Sequence, residues 1–233
     1  MLGGRRRGTG ARIIANKYAA PNDGAEQMAL LLSIHPVNPQ ARLVRQAIAA
    51  IRDGSVVVYP TDSSYALGCL IGDKEAMERI ERIRQTDKHH NFTLVCRDLS
   101  EIATYARVDN IQYRTLKAFT PGPYTFILEA TREVPKRLQN PKRRTIGIRV
   151  PDNEIARTLL AELGEPIMSS TLLLPGDEAP MTDPQEIKER LDHFVDLVID
   201  GGPGGFEPSS VVDLSGPVPA VVRRGKGDVT AFE

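Results

Sequence analysis

The chain has 233 residues, and its 30 basic and 30 acidic side chains give a formal net charge of zero. A hydrophobic share of 41% is enough for the core of one large α/β domain or two small ones. A neutral chain has no overall attraction to nucleic acid or anionic lipid, so any contact with RNA has to come from a local basic patch. No apolar run approaches the length of a membrane span, so we expect a cytoplasmic protein without membrane contact.

Cysteine and histidine usage gives no sign of a disulfide framework or a metal site. The chain has two cysteines and four histidines. Cys69 and Cys96 lie in apolar, strand-like runs, where a cysteine is typically a small buried hydrophobe. The sequence has no Cys-x-x-Cys motif and its histidines are scattered, so we expect neither a disulfide nor a bound metal.

The first 27 residues differ in composition from the rest of the chain. They are rich in Gly, Arg, Ala and Asn, show no sustained period, and hold five basic and two acidic residues. This composition predicts a disordered basic extension, followed by one domain over residues 28–233. Two other interpretations stay open: the segment is an RNA-binding arm, or translation begins at Met28.

From residue 28 onward, short β-branched runs alternate with amphipathic helical patterns. Asn38 and Asp73 are predicted to cap the first two helices, with Pro39 at the first position of the first one. The predicted elements are a helix ending at Gly54, strands 55–59 and 67–71, a helix after Asp73, a strand 92–96, helices 99–105 and 110–119, strands 125–129 and 145–150, a helix 154–163, a strand 167–170, a helix 184–191, and strands 197–199, 210–214 and 220–223. This alternation predicts a single α/β domain on a twisted, mixed sheet with flanking helices.

A polar turn follows the strand at 55–59. Pro60 cannot donate a ladder hydrogen bond, so strand pairing should stop there. Thr61, Asp62, Ser63 and Ser64 would then lie at the exit of the strand, where open α/β sheets tend to bind ligands. The alternative is a turn whose side chains satisfy only their own backbone.

A second turn segment, residues 201–205, is almost all glycine. No helical pattern follows it and Pro203 breaks the spacing, so it is not a dinucleotide-binding fingerprint. We predict a flexible, hairpin-like connection.

Five segments, in this order along the chain, resemble motifs of the YrdC family. They are residues 56–69, 120–126, 146–151, 166–170 and 208–213. Residues 85–86, 90–94 and 223–228 resemble the YciO branch of this family, and the resemblance covers almost everything from Ile34 to Glu233. It implies a YrdC-like fold with a concave basic cleft that binds ATP, threonine and, in some members, double-stranded RNA or tRNA. Family enzymes make threonylcarbamoyl-AMP from threonine, bicarbonate and ATP, for a modification of tRNA.

Two signatures of the family's synthases are altered in this chain. The Lys-x-Arg signature corresponds to Arg84-Gln85-Thr86, and the Ser-x-Asn signature corresponds to Thr171-Leu172-Leu173. A leucine side chain cannot hydrogen-bond a phosphate, and the planar guanidinium of arginine does not replace the compact ammonium charge of lysine. Losing two charge-assisted contacts would cost roughly a hundred- to ten-thousandfold in affinity or rate. We therefore expect weakened synthase activity, although Lys88 would restore a nearby charge.

The resemblance implies a set of nucleotide- or substrate-binding residues and no identifiable catalytic one. Arg149 lies in an apolar strand, where an arginine needs an anionic or carbonyl partner. The hydroxyls have the alternative role of local hydrogen bonds at turns and strand ends. The predicted binding residues are Thr61, Arg84, Lys88, Arg149, Ser169, Thr171, Ser209 and Arg223.

A basic connection precedes the strand at 145–150. Counting Arg149, six cations lie between residues 136 and 149 without one acidic residue. Recognition of duplex RNA through its shape and phosphates needs no aromatic side chains, so this segment is the best RNA-facing patch in the chain. The alternative is a solvated loop. The predicted RNA-binding residues are Lys136, Arg137, Lys142, Arg143 and Arg144.

These observations favour a YciO-type protein that binds nucleotide and double-stranded RNA or tRNA, is linked to translation or tRNA metabolism, and has an altered synthase site. One alternative is a working L-threonylcarbamoyladenylate synthase, a nucleotidyltransferase that uses ATP with magnesium as substrate. Another is an enzyme acting on a different nucleotide or acyl-adenylate. No tightly bound cofactor is expected.

Overall fold

The computed structural model describes residues 28–85 and 92–233. The predicted basic extension over residues 1–27 and the predicted binding residue Lys88 lie outside the described residues. No helix in the described part of the chain is long and apolar enough to cross a membrane.

Eleven strands form one mixed sheet in the described residues, and six helices flank it. The order across the sheet is β1-β9-β2-β3-β8-β4-β7-β6-β10-β11, with the short β5 paired to β6. The strands are β1 Leu30–Ser33, β2 Val57–Tyr59, β3 Ala66–Leu70, β4 Thr93–Val95, β5 Ala106–Arg107, β6 Tyr124–Ala130, β7 Thr145–Arg149, β8 Ile167–Thr171, β9 Leu197–Asp200, β10 Ser210–Asp213 and β11 Ala220–Arg223. The helices are α1 Ala41–Arg52, α2 Lys74–Arg84, α3 Leu99–Tyr105, α4 Asn110–Phe119, α5 Glu154–Leu163 and α6 Pro184–Leu191.

The two faces of the sheet are covered unequally. The back face, which carries Val58, Leu94 and Ile148, packs against α2, α3, α4 and α6. The front face, which carries Tyr59 and Val95, packs against α1 and α5 only. Because neighbouring side chains in a strand point to opposite faces, this arrangement leaves part of the front face of β8, β4, β7 and β6 for polar side chains.

Both cysteines are buried with free thiols, as their apolar surroundings predict. Burial raises the pKa of Cys69 to about 12 and raises the pKa of Cys96 well above its ordinary value. Neither thiol is therefore a nucleophile at neutral pH, because the thiolate is the reactive form.

The predicted α/β architecture is confirmed, and the predicted strands and the last four helices end within two residues of the observed ones. Asp73 caps α2 as predicted, by accepting from the backbone nitrogen of Ala76. The predicted cap at Asn38 is wrong: α1 begins at Ala41, after Gln40. The nitrogen of Asn38 instead donates to the His35 imidazole, at 3.1 Å, so this segment forms its own turn. The sequence patterns also missed β1 and the two-residue β5.

The prediction of a flexible connection at residues 201–205 is wrong, because this loop is packed against the Thr61–Ser64 turn. A methyl group on Gly205 would lie 1.9 Å from the carbonyl oxygen of Ser63. One on Gly204 would lie 2.6 Å from the ring of Tyr65, whose hydroxyl in turn donates to the Gly202 carbonyl at 2.7 Å. The glycines permit a close approach of two backbones, and the loop thereby supports the turn.

Gly205→Ala should lower the free energy of unfolding by about 1–3 kcal/mol, because the new methyl group overlaps a backbone carbonyl that cannot rotate away. Urea unfolding followed by circular dichroism measures the loss. Gly216→Ala is the matched control, since its methyl group would meet nothing nearer than the Val218 carbonyl at 3.7 Å. Equal stability of the two variants would contradict the packing described for the loop.

Candidate functional site

The sheet is curled around its front face, and contacts between distant strands demonstrate the curvature. Arg149, at the end of β7, bonds the turn that follows β2. Four strand spacings separate β2 from β7, which in a flat sheet would amount to about 19 Å. An arginine side chain is far shorter than this, so the front face must be concave. We call this concavity the cleft.

A buried ion pair joins the two sides of the cleft. The guanidinium of Arg149 pairs with the carboxylate of Asp62, and both side chains are only 9% exposed. The same terminal nitrogen lies 2.9 Å from the Ser63 hydroxyl and 3.3 Å from the Thr61 hydroxyl. Thr61 in turn donates to the Ser64 carbonyl at 2.6 Å. The partner that Arg149 was predicted to need is thus a carboxylate and two hydroxyls of the 61–64 turn.

Two polar atoms of this pair have no partner of their own. Arg149 Nε and Asp62 Oδ2 are both buried, and neither has a hydrogen-bond partner among the described residues. Burying an unsatisfied charged atom is costly, and such atoms frequently mark a binding site. One is a donor and the other an acceptor, so together they offer complementary contacts to a polar ligand.

Ser169 lies on the floor of the cleft, on the front face of β8. Its hydroxyl accepts from the Tyr59 hydroxyl at 2.8 Å and lies 3.2 Å from the Leu67 carbonyl. Burial raises the pKa of Tyr59 to about 12, in opposition to the Ser169 hydrogen bond and the Arg149 charge, so this phenol is neutral at physiological pH. Ser169 lies in register with Gly68 of β3 on one side and with Thr93 of β4 on the other, and Gly147 of β7 lies beyond Thr93.

A third group of residues forms the wall of the cleft at β6, β10 and β11. The Ser209 hydroxyl lies 2.9 Å from that of Thr125, and the Ser209 carbonyl accepts from Arg223 at 2.7 Å. Burial and the positive charge of Arg149 both lower the pKa of Arg223. As a whole residue Arg223 is exposed, so its guanidinium has lost only part of its hydration. The two guanidiniums therefore act on the same region of the cleft.

Arg84 contacts β8 and the residues that follow it. From the end of α2 its guanidinium donates to the Ser170 hydroxyl and, at 3.3 Å, to the carbonyl of Leu173. Ser170 follows Ser169 in β8 and therefore points to the opposite face. Burial, and then the charge of Arg223, lower the pKa of Arg84. Arg84 thus lies close enough to Arg223 for their charges to interact, but it contacts β8 on the face opposite to Ser169 and donates to the Leu173 carbonyl.

The cleft brings together most of the predicted binding residues that lie in the described chain. Thr61, Arg149 and Ser169 surround one end, and Ser209 with Arg223 forms the other. Thr171 lies at the end of β8 in register with Ala66, half-buried. The predicted set omitted Tyr59, Asp62, Thr125 and Lys226. Asp62 had a sequence signal, since it is the one carboxylate in the turn, whereas the contact of Tyr59 with Ser169 depends on strand register alone.

The predicted RNA-binding residues make no contact with Thr61, Arg149, Ser169 or Ser209 among the described contacts. They connect β6 to β7, and the part of this connection that carries Leu138 packs on the back face. Arg149 does not extend their patch, because it is buried on the front face. Arg143 pairs with Asp213 at 2.7 Å and bonds Ser215 at 2.6 Å. The other four predicted cations are exposed: Lys136, Arg137, Lys142 and Arg144.

The fold and the site therefore define an α/β protein with a curled mixed sheet and a basic cleft. The chain belongs to the Sua5/YciO/YrdC family, whose model, described as telomere recombination, matches residues 49–225. It is 58% identical over 205 residues to the uncharacterized protein YciO of Escherichia coli strain K12, covering 88% of this chain and 100% of YciO. The crystal structure of E. coli YciO matches with a TM-score of 0.86.

More distant relatives have the same fold. Bovine threonylcarbamoyl-AMP synthase is 31% identical over 181 residues, which cover 75% of this chain and 64% of the bovine protein. The crystal structure of P. abyssi Sua5 complexed with L-threonine matches with a TM-score of 0.78 at 24% identity, over 84% of this chain and 58% of that one. The resemblance to the YrdC family and the predicted YrdC-like fold are thereby confirmed.

Arg149→Met should lower the free energy of unfolding by about 3–5 kcal/mol, because it leaves the buried Asp62 carboxylate without its partner. Adding Asp62→Asn to this variant should recover stability, since the unpaired charge is then gone. A double-mutant cycle by urea unfolding measures the coupling.

Arg107→Met is the control, because its pair with Glu129 is exposed on both sides and should cost no more than about 1 kcal/mol. Strict additivity of the Arg149 and Asp62 substitutions would contradict a stabilising pair.

Proposed function

We propose that the cleft binds a nucleotide through its phosphate groups. The observation that carries this proposal is the buried Arg149, whose Nε has no partner among the described residues. Arg223 and Arg84 add two positive charges nearby, against the single carboxylate of Asp62. Guanidinium groups present forked donors that fit phosphate oxygens, so this excess of arginine suits a phosphate-bearing ligand better than a neutral one.

We also propose that the synthase site has been rebuilt. The relation to threonylcarbamoyl-AMP synthases supports a shared scaffold. Arg84 corresponds to a lysine in those enzymes, and its guanidinium donates hydrogen bonds to the Ser170 hydroxyl and the Leu173 carbonyl. A guanidinium held in this way is less able to follow a phosphate through a reaction than a mobile ammonium group. Leu173 offers no side-chain hydrogen bond at all.

The RNA part of the proposal rests on the exposed basic connection between β6 and β7. Its four exposed cations would neutralise phosphates of duplex RNA or tRNA without reading bases, which agrees with a role in translation or tRNA metabolism. None of the four cations contacts Arg149, Ser169 or Ser209 in the described chain, which is compatible with RNA and nucleotide being bound together.

The second candidate function is a working threonylcarbamoyl-AMP synthase. The hydroxyls at Thr61, Ser169 and Ser209 favour it, because they remain on the cleft side of the sheet. In this case Arg84 supplies the cationic charge, and ATP with magnesium is a substrate.

Calorimetry and a pyrophosphate assay separate the two functions. We expect ATP with magnesium to bind, and Arg223→Gln to weaken binding about tenfold through loss of one charged contact. Arg42→Gln, on the exposed side of α1, should have no effect. Threonine with bicarbonate should not stimulate pyrophosphate release. Threonine-dependent release would establish the synthase instead, and a failure of ATP to bind would contradict the nucleotide proposal.

Association with a duplex RNA of about 16 base pairs should weaken as salt rises, because phosphate contacts release counterions. Replacing Lys136 and Lys142 by Gln should lower the slope of log K against log salt by about two, one for each lost phosphate contact. Replacing Arg42 and Arg45 by Gln is the charge-matched control. Binding that is insensitive to salt, or absent at about 0.15 M, would contradict the RNA proposal.

A further inference from the structure

The segment after β11 reaches across the mouth of the cleft. Its residue Lys226 donates from Nζ to the backbone carbonyl of Asp62. Asp62 lies in the turn after β2, and β2 is separated from β11 by six strands of the sheet. Lys226 therefore connects the two rims of the cleft, above the Asp62–Arg149 pair.

The backbone that carries Lys226 is fixed on both sides. Its own nitrogen donates to the Pro208 carbonyl at 2.9 Å, and the Gly225 nitrogen donates to the buried Ser210 hydroxyl at 3.0 Å. A methyl group on Gly225 would lie 2.3 Å from the Pro208 carbonyl oxygen, and one on Gly227 would lie 2.5 Å from the ring of Tyr124. The two glycines thus allow the chain to lie directly against β10 and β6. The backbone at Lys226 is fixed there, and its side chain is the part that can move.

The ammonium group of Lys226 has a neutral hydrogen-bond acceptor. It is exposed, it donates to a backbone carbonyl, and no carboxylate of residues 28–85 and 92–233 lies within 4.0 Å of it. A charged donor gains more from an anionic acceptor than from a neutral one. The flexible four-carbon stem also lets the group change acceptors at little cost.

We propose that Lys226 is a further ligand-binding residue, which leaves the Asp62 carbonyl and closes on the phosphate chain of a bound nucleoside diphosphate or triphosphate. This inference rests on the proposed nucleotide binding. Arg149 is buried inside the cleft, Lys226 is exposed at its rim, and both contact Asp62, so one ligand entering the cleft meets both cations. A chain of two or three phosphates offers each cation its own phosphate group, whereas a single phosphate would have to serve both. Lys226 also supplies a mobile ammonium, which the synthase signature at Arg84 has lost.

Titration calorimetry with ATP and magnesium, and separately with AMP, tests the inference. Lys226→Gln removes the charge but keeps a hydrogen-bond donor for the Asp62 carbonyl. It therefore distinguishes binding of phosphate by the ammonium group from a structural role in which Lys226 only connects the two rims of the cleft. We expect about tenfold weaker binding of ATP and less than about threefold weaker binding of AMP. Lys226→Arg should bind ATP nearly as the native protein does. Lys117→Gln, an exposed lysine in α4, should leave both affinities unchanged.

Each other outcome is informative. If the native protein binds ATP and Lys226→Gln binds it equally well, the inference is overturned and the proposed nucleotide site stands. If Lys226→Met weakens binding but Lys226→Gln does not, the side chain is a tether and not a phosphate ligand, which also overturns the inference. If the native protein binds neither ATP nor AMP, the proposed nucleotide site fails, and the role of Lys226 fails with it.

Discussion

The buried pair of Asp62 and Arg149 is the interaction on which the cleft depends. It joins the turn after β2 to the end of β7, across three intervening strands, and so holds the sheet in its curled form. A buried charge without its partner would cost several kcal/mol, which strongly favours the geometry that keeps the two groups together. The glycines of residues 201–205 support the same turn from behind, because only a backbone without side chains can approach Ser63 so closely.

The front face of the sheet also has a polar floor. Ser169 and Thr125 contribute hydroxyls to it, and Gly147 lies against Thr125. At the edge of β8, Arg84 bonds Ser170 and the Leu173 carbonyl. Arg84 and Leu173 are therefore in direct contact, and a change in one alters the surroundings of the other.

Much of the fold follows from sequence pattern, because α5 and α6 carry periodic apolar stripes with capping residues at their starts. The strand β1 was not recognised, since it has only four residues and is ordered by pairing with β9, more than 160 residues away. The site was predicted through motif resemblance, which selected Thr61, Arg149 and Ser169 but not their partners. Asp62 meets Arg149 and Lys226 only because the sheet is curled. This curvature is a property of tertiary packing that local sequence pattern does not encode.

The central claim is that the unpartnered Nε of Arg149 faces an anion site. Proton–nitrogen correlation spectra of the arginine Nε groups test it directly, with the Arg149 signal assigned from its loss in Arg149→Lys. Titration with ATP and magnesium should move the Arg149 signal saturably. The signal of Arg52, which bonds the Leu163 carbonyl between α1 and α5, should stay in place. An Arg149 signal that does not move at saturating ATP, or that moves no more than that of Arg52, would contradict the account.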